Sequence, residues 1–207
     1  MAHAGPTWRA LREEHPGPDP GDSPTVRAAL GEHASWARVA IPCSDRATGV
    51  ERPWPCTFSP EVIWQEGWED EHGVDPPPQG DLTRALADRL VEVLAEGRPD
   101  RCCLFATWTG YADLRVPATA ALELPPDRPM VAVEAALAEV HEVAAHLGRY
   151  PLRWSASDGS WAVGADLYAR SVVVGGRDLR ALLRQAGASP VRAVAVDGSA
   201  PLPTFPA

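Results

Sequence analysis

Apolar positions along this chain recur with two periods, and the change between them marks out the elements. Leu82, Leu86, Leu90 and Leu94 fall every four residues, with Ala85 and Val93 beside them, which predicts an amphipathic helix over 81–96. Asp81 is placed to cap its start, Gly97 to end it, and Pro99 prevents its continuation. Two-residue alternation takes over elsewhere. Trp36, Arg38 and Ala40 alternate with Ala37, Val39 and Ile41, and Pro42 closes that strand. The run Cys102–Trp108 is apolar on both faces, as in a fully buried central strand. Asp158-Gly159 is a hairpin signal, because a two-residue type I′ turn wants positive φ at both positions. Pairing outward from it sets Ala156 against Trp161 and Trp154 against Val163, all four on one face.

Weaker patterns fill the rest. Ser23-Pro24 reads as N-cap and first helical residue, followed by apolar Val26, Ala29 and Leu30. Residues 43–57 and the proline-rich 117–129 read as loops. Ser59-Pro60-Glu61 opens a short helix toward Trp64. Met130–Val133 reads as a strand and 135–147 as a helix closed by Gly148. Arg170–Val174 reads as a strand broken by Gly175-Gly176. A helix over 178–186 puts Leu179, Leu182 and Leu183 inward, and Val191–Val196 makes a last strand. The expectation is a single α+β domain over 23–197, with a mostly antiparallel sheet of about five or six strands and three main helices. Residues 1–22 should be a flexible N-terminal segment and 198–207 a C-terminal tail. Trp108, Phe105, Trp154 and Trp161 should be buried close together, since they lie on the best strand patterns.

Composition narrows the function. The chain has 207 residues, 45% apolar and 23% charged, enough for a core without metal or disulfide support. No apolar run approaches the roughly 20 residues of a membrane span. A net charge of −9 argues against binding nucleic acid or an anionic membrane by bulk electrostatics. All 19 basic residues are arginine, asparagine is absent, and isoleucine occurs only at 41 and 63, as in a genome rich in G+C. Without lysine there is no Schiff base and no phosphate-loop lysine. Cys43, Cys56, Cys102 and Cys103 show no CxxC spacing, and the N-terminus shows no basic-then-apolar leader, so reduced thiols in a cytoplasm are expected.

The candidate chemistry is sparse. His141 and His146 are five apart, about 140° around a helix, which does not fit the four-residue spacing of zinc peptidases. Gly175-Gly176 lacks the third glycine of a dinucleotide loop, and Asp178 would repel a phosphate. Asp113 and Asp166 are carboxylates near aromatic residues, but spacing does not bring them together. No serine stands in a nucleophile elbow. Cys103 sits in an apolar run, the setting of an inert thiol. Neither a cofactor nor a metal is implied.

The acidic stretch is more distinctive. Glu61, Glu66, Glu69, Asp70, Glu71, Asp75 and Asp81 occur with no arginine between Arg52 and Arg84, and Trp64 and Trp68 lie among them. Residues 149–207 carry seven arginines against four acids, so the remainder is near −12. An acidic surface bearing tryptophan suits recognition of a basic protein partner.

Four segments carry a resemblance. They are Cys103-Leu-Phe-Ala-Thr-Trp108-Thr-Gly-Tyr111, Pro151-Leu-Arg-Trp154 to Asp158, Ser160-Trp161-Ala-Val163 with Asp166 behind it, and Val172-Val-Val-Gly175-Gly176 before a Leu-rich helix. Together with Trp36–Pro42, they resemble a large group of uncharacterised actinobacterial hypothetical proteins, over roughly residues 25–195. The chain departs from that group at Gly159, where arginine is expected, at Ser155, where a second tryptophan is expected, and at Tyr168, where aspartate is expected. The resemblance implies a shared fold and no established reaction.

Two functions follow as expectations. The first is a cytoplasmic protein acting by protein binding, of an immunity or partner-neutralising type, with Trp64, Trp68, Glu69, Asp70 and Glu71 as its contact surface. The alternative is an enzyme or small-ligand binder with a Trp-lined pocket using Tyr111 and Asp166. A deep apolar cleft with convergent polar groups would favour the second.

Overall fold

A computed structural model describes residues 25–53, 72–77, 80–117, 121–124, 128–165, 170–184, 189–200 and 202. In chain order the elements are α1 (Val26–Leu30), β1 (Ser35–Ala40), β2 (Cys43–Asp45), β3 (Glu51–Arg52), β4 (Val74–Asp75), α2 (Arg84–Leu94) and β5 (Cys102–Trp108). There follow β6 (Leu122–Leu124), β7 (Arg128–Ala136), a 3-10 turn (Leu137–Glu139), α3 (Val140–Leu147), β8 (Arg153–Ala156), β9 (Trp161–Gly164), β10 (Ser171–Gly176), α4 (Arg180–Leu183) and β11 (Arg192–Ala195).

The fold is α+β. Among the described residues an eight-stranded sheet runs in the order β11-β1-β10-β9-β8-β5-β7-β6, antiparallel at every pairing. A second sheet of three short strands has the order β3-β2-β4. This is more strands, and one more sheet, than the sequence pattern predicts. Alternation assigns each strand residue to a face. One face carries Val39, Val172, Val163, Trp154, Phe105 and Val133, and packs on Leu86, Leu90, Val143, Leu147 and Leu182 of the helices. Behind the other face, α1 and Leu202 pack on Trp36, Ala162 and Val173. Further along, Leu104, Ala106, Met130 and Ala132 make a separate buried cluster.

The hairpin keeps its expected register, with Trp154 opposite Val163. Its turn differs. Gly159 has φ +69°, but Asp158 is not left-handed, and its carboxylate accepts the Ser160 N–H at 3.0 Å. The Gly159 N–H donates to Ala156 O at 3.0 Å, so the turn is centred on Ser157-Asp158 and the left-handed Gly159 follows it.

Several boundaries move for physical reasons. Thr83, not Asp81, caps α2 by accepting the Leu86 N–H, and Thr25 caps α1 by accepting the Ala28 N–H. The 43–57 segment, read as loop, holds the β2–β3 hairpin, and 117–129 holds β6. Strand β7 runs on to Ala136, through residues read as helix, because Cys102–Leu104 pair with it. Gly175-Gly176 continues β10 instead of breaking it. A Cβ at Gly175 would stand 2.4 Å from both His33 Cδ2 and Trp36 Cζ3, so glycine lets those rings lie across the strand. The segment read as a tail is packed as far as Leu202. Val26 N–H donates to Ala200 O at 2.8 Å, Arg27 N–H donates to Gly198 O at 2.9 Å, and Leu202 is buried.

The four aromatic residues expected together share one core, three of them buried and Trp108 only partly. Trp154 and Phe105 meet edge to face at 5.5 Å, with Trp161 in the same core. Trp108 is half-buried at the end of β5, where it packs against both this core and the Leu104, Ala106, Met130 and Ala132 cluster. Among the described residues no helix is long and apolar enough to cross a membrane.

Candidate functional site

At one end of the sheet, the turn after β5, the start of α2 and the end of α3 converge on a polar network. Tyr111 follows β5, and its ring meets that of Trp108 edge-on at 5.3 Å. Gly110 allows this approach, since a Cβ there would fall 2.3 Å from the Trp108 ring. The buried Arg149 guanidinium lies 3.3 Å over the Tyr111 ring. The same guanidinium donates to Asp113 Oδ1 at 2.9 Å and to Gly80 O at 2.7 Å. Tyr111 Oη donates to Gly80 O at 3.2 Å. Arg149 is aimed here by Gly148, which ends α3 at φ +95° and packs so close to Asp113 O that a Cβ would lie at 2.4 Å.

Asp81 ties this group to the next. Its Oδ1 accepts the N–H of Leu82 at 2.8 Å and of Tyr150 at 3.0 Å. Burial pushes its carboxyl above the ordinary range, against the pull of Arg149 and these two bonds. Tyr150 points the other way along the helix surface. Its hydroxyl lies 2.8 Å from His141 Nδ1, and His141 Nε2 lies 2.7 Å from Asp88 Oδ1. The His141 and Tyr150 rings meet edge to face at 5.8 Å. Burial raises the Tyr150 phenol, Arg84 opposes that, and the carboxylates of Asp88, Asp81 and Glu51 add to it.

The small sheet forms a second feature. Strands β3 and β4 flank β2, with Arg52 opposite Cys43 and Asp75 opposite Ser44. Arg46 closes the far side, pairing with Asp75 at 3.1 Å and donating to Val74 O at 3.1 Å. The hydroxyl and N–H of Thr48 hold the Asp45 carboxyl below its ordinary range and fix the β2–β3 turn. Thr83 donates to Glu51 Oε2 at 3.1 Å, joining this sheet to α2.

Among the residues singled out in the sequence, Tyr111 falls within the polar network. Trp64, Trp68, Glu69, Asp70, Glu71 and Asp166 lie outside the described residues. Two members of the acidic stretch are accounted for: Asp75 is paired with Arg46, and Asp81 is half-buried in the network. The stretch has no arginine of its own, and the partner of Asp75 comes from outside it: Arg46, directly after β2 and 29 positions away. Asp113 is engaged by Arg149. His141 is half-buried and bonded, not an idle surface histidine, while His146 is exposed. Among the described residues no group of three or more His, Cys, Asp or Glu is placed to hold a metal. Burial pushes the Cys103 thiol up to about 12.

Sequence reasoning missed Arg149, Asp88 and Tyr150. A clue lay in Arg149-Tyr150 directly after the helix-ending Gly148, a position that swings two long polar side chains across neighbouring elements. Compared with models of protein families, with curated proteins and with solved structures, the chain matches none of them.

Proposed function

We propose that this protein acts by binding another protein, through the acidic, tryptophan-bearing segment that joins β3 to β4. The observation that supports this best is how the ends of that segment are held. It leaves β3 at Arg52 and returns at β4, and these strands lie on the two sides of β2, about 10 Å apart. The cations nearest those ends are already used, Arg52 by Asp45 and Arg46 by Asp75. Glu61, Glu66, Glu69, Asp70 and Glu71 belong to a stretch of sequence whose two flanks, β3 and β4, are both paired to β2, and which has no arginine of its own. Fixed flanks lower the ordering cost of binding, and the net negative charge steers a basic partner. An immunity-type or partner-neutralising role is the specific form we favour.

Tyr111 weighs against the pocket alternative. Arg149 lies over its ring and its hydroxyl donates to Gly80 O, so a ligand there would have to displace these contacts.

The test is kinetic. A partner captured with the intact chain is measured for association at two salt concentrations, above and below the ionic strength at which charges are screened beyond about 8 Å. Reversing Glu69, Asp70 and Glu71 to arginine should slow association and flatten its salt dependence, with the circular dichroism spectrum unchanged. Trp64→Ala or Trp68→Ala should speed dissociation by the equivalent of about 2 kcal/mol. Unchanged rates in all these variants would defeat the proposal.

A further inference from the structure

We propose that Asp88, His141 and Tyr150 form a proton-relay triad that makes the Tyr150 hydroxyl a nucleophile for acyl transfer, a site separate from the acidic segment. The argument starts from donor and acceptor counting. In the His141 tautomer whose Nε2–H donates to the Asp88 carboxylate, at 2.7 Å, Nδ1 carries no proton. Nδ1 is then the acceptor, and the contact at 2.8 Å is Tyr150 O–H donating to it. A hydroxyl bonded to an imidazole, itself oriented by a carboxylate, is the arrangement in which a weak nucleophile loses its proton as it attacks.

Three elements far apart in sequence supply the groups: Asp88 from α2, His141 from the first turn of α3, and Tyr150 from the segment before β8. The chain is held in place from behind. Asp81 accepts the Tyr150 N–H, Gly148 sets the direction of the chain, and the Tyr150 ring packs against the core. From the front it is open, the side chain of His141 being 26% exposed and that of Asp88 55%. Burial makes the Tyr150 phenol harder to ionise on its own, so its reactivity would come from the adjacent base. Arg84 is the cation that opposes that shift. It lies 3.9 Å from Asp88, on an exposed face.

The step balances with an ester and water alone. Tyr150 Oη bonds to the carbonyl carbon while its proton passes to His141 Nδ1. The tetrahedral oxyanion then collapses, the C–O bond to the leaving alcohol breaks, and that oxygen takes the proton from His141. Water adds to the acyl-tyrosine by the same route, releasing a carboxylic acid and restoring Tyr150.

The probe is 4-nitrophenyl acetate with the full chain, read by release of 4-nitrophenolate and by peptide mass mapping. Tyr111, bonded to a carbonyl and not to a histidine, is the internal reference. Acetylation should appear at Tyr150 well ahead of Tyr111 and vanish from that peptide in Tyr150→Phe. His141→Gln, which keeps a polar side chain in place, should slow Tyr150 acetylation about 100-fold or more. Asp88→Asn should slow it less, with its melting temperature near that of the parent. Acetylation of Tyr150 no faster than of Tyr111, or equal rates in the parent and His141→Gln, would overturn the proposal and leave the three groups as a structural brace between α2 and α3.

Discussion

Truncating Trp154 to alanine should be far more damaging than the same change at Trp108, although both tryptophans lie on adjacent central strands. Trp154 is fully buried, its Nε1–H donates to Pro151 O at 2.7 Å, and Phe105 meets it edge-on at 5.5 Å. A buried tryptophan removes up to about 250 Å² from water, an upper bound of about 6 kcal/mol at ~25 cal/mol per Å². Measured losses for such truncations run about 3–5 kcal/mol once the site relaxes. The unpaired Pro151 carbonyl and the lost ring contact place Trp154→Ala at the top of that range, about 5 kcal/mol. For a chain of this size that lowers the melting temperature by about 10–20 °C. Trp108 is half-buried, meeting Tyr111 edge-on at 5.3 Å, and its removal should cost about 2 kcal/mol. Trp154→Phe divides the larger figure: it keeps an aromatic ring but strands the carbonyl, for about 1–3 kcal/mol. Urea unfolding at one pH, followed by fluorescence and by far-ultraviolet circular dichroism, gives all three values. A Trp108→Ala cost equal to or above that of Trp154→Ala would refute the ranking of the two side chains by burial.

Thr107 is fully buried in β5 and its hydroxyl has no hydrogen-bond partner among the described residues, so Thr107→Val should raise stability by about 1 kcal/mol in the same urea assay. A maleimide should label exposed Cys102 in the native protein but reach Cys103, buried and with its thiol pushed up to about 12, only after unfolding; peptide mapping separates the two. Because burial raises the Asp81 carboxyl, its favourable contribution is present below the ordinary carboxylate range and is lost as pH rises through the raised value. Asp81→Asn keeps an acceptor for the Leu82 and Tyr150 N–H groups without titrating, so its urea midpoint should fall less than the parent's between about pH 4 and pH 7; parallel pH profiles would contradict this.

What the sequence disclosed depended on how locally each feature is encoded. The leucine repeat of α2, the apolar run of β5 and the Asp158-Gly159 hairpin each contain their own signal within about ten residues, and each was legible. Strands β2, β3, β4 and β6 have two or three residues and cannot display a period. They exist because β2 and β7 offer them backbone partners. Gly175-Gly176 looked like a break because nothing nearby in sequence announces that Trp36 and His33 lie over it, 139 and 142 positions away. The site was hidden for the same reason. Asp88 and His141 are 53 positions apart and Arg149 and Gly80 are 69 apart, distances across which no periodicity speaks. Tyr111 could be picked out because it follows a strand across a Thr-Gly turn, but its partner Arg149 could not.

The sheet order also sets a timetable for synthesis. Strand β1 is complete at Ala40, yet both of its neighbours, β10 and β11, come after residue 170. At about 5–20 residues per second, the ribosome needs roughly 7–26 s to make the first of them. Throughout that interval β1 has both edges unsatisfied, while β5, β7, β8 and β9 can already pair among themselves. Closing so long a loop is the slow kind of step, and an apolar strand left waiting is the kind that recruits the wrong neighbour. The nascent chain is therefore most exposed to misassembly near its end, and a stop codon anywhere before β10 would release a half-sheet with its first strand still unmatched.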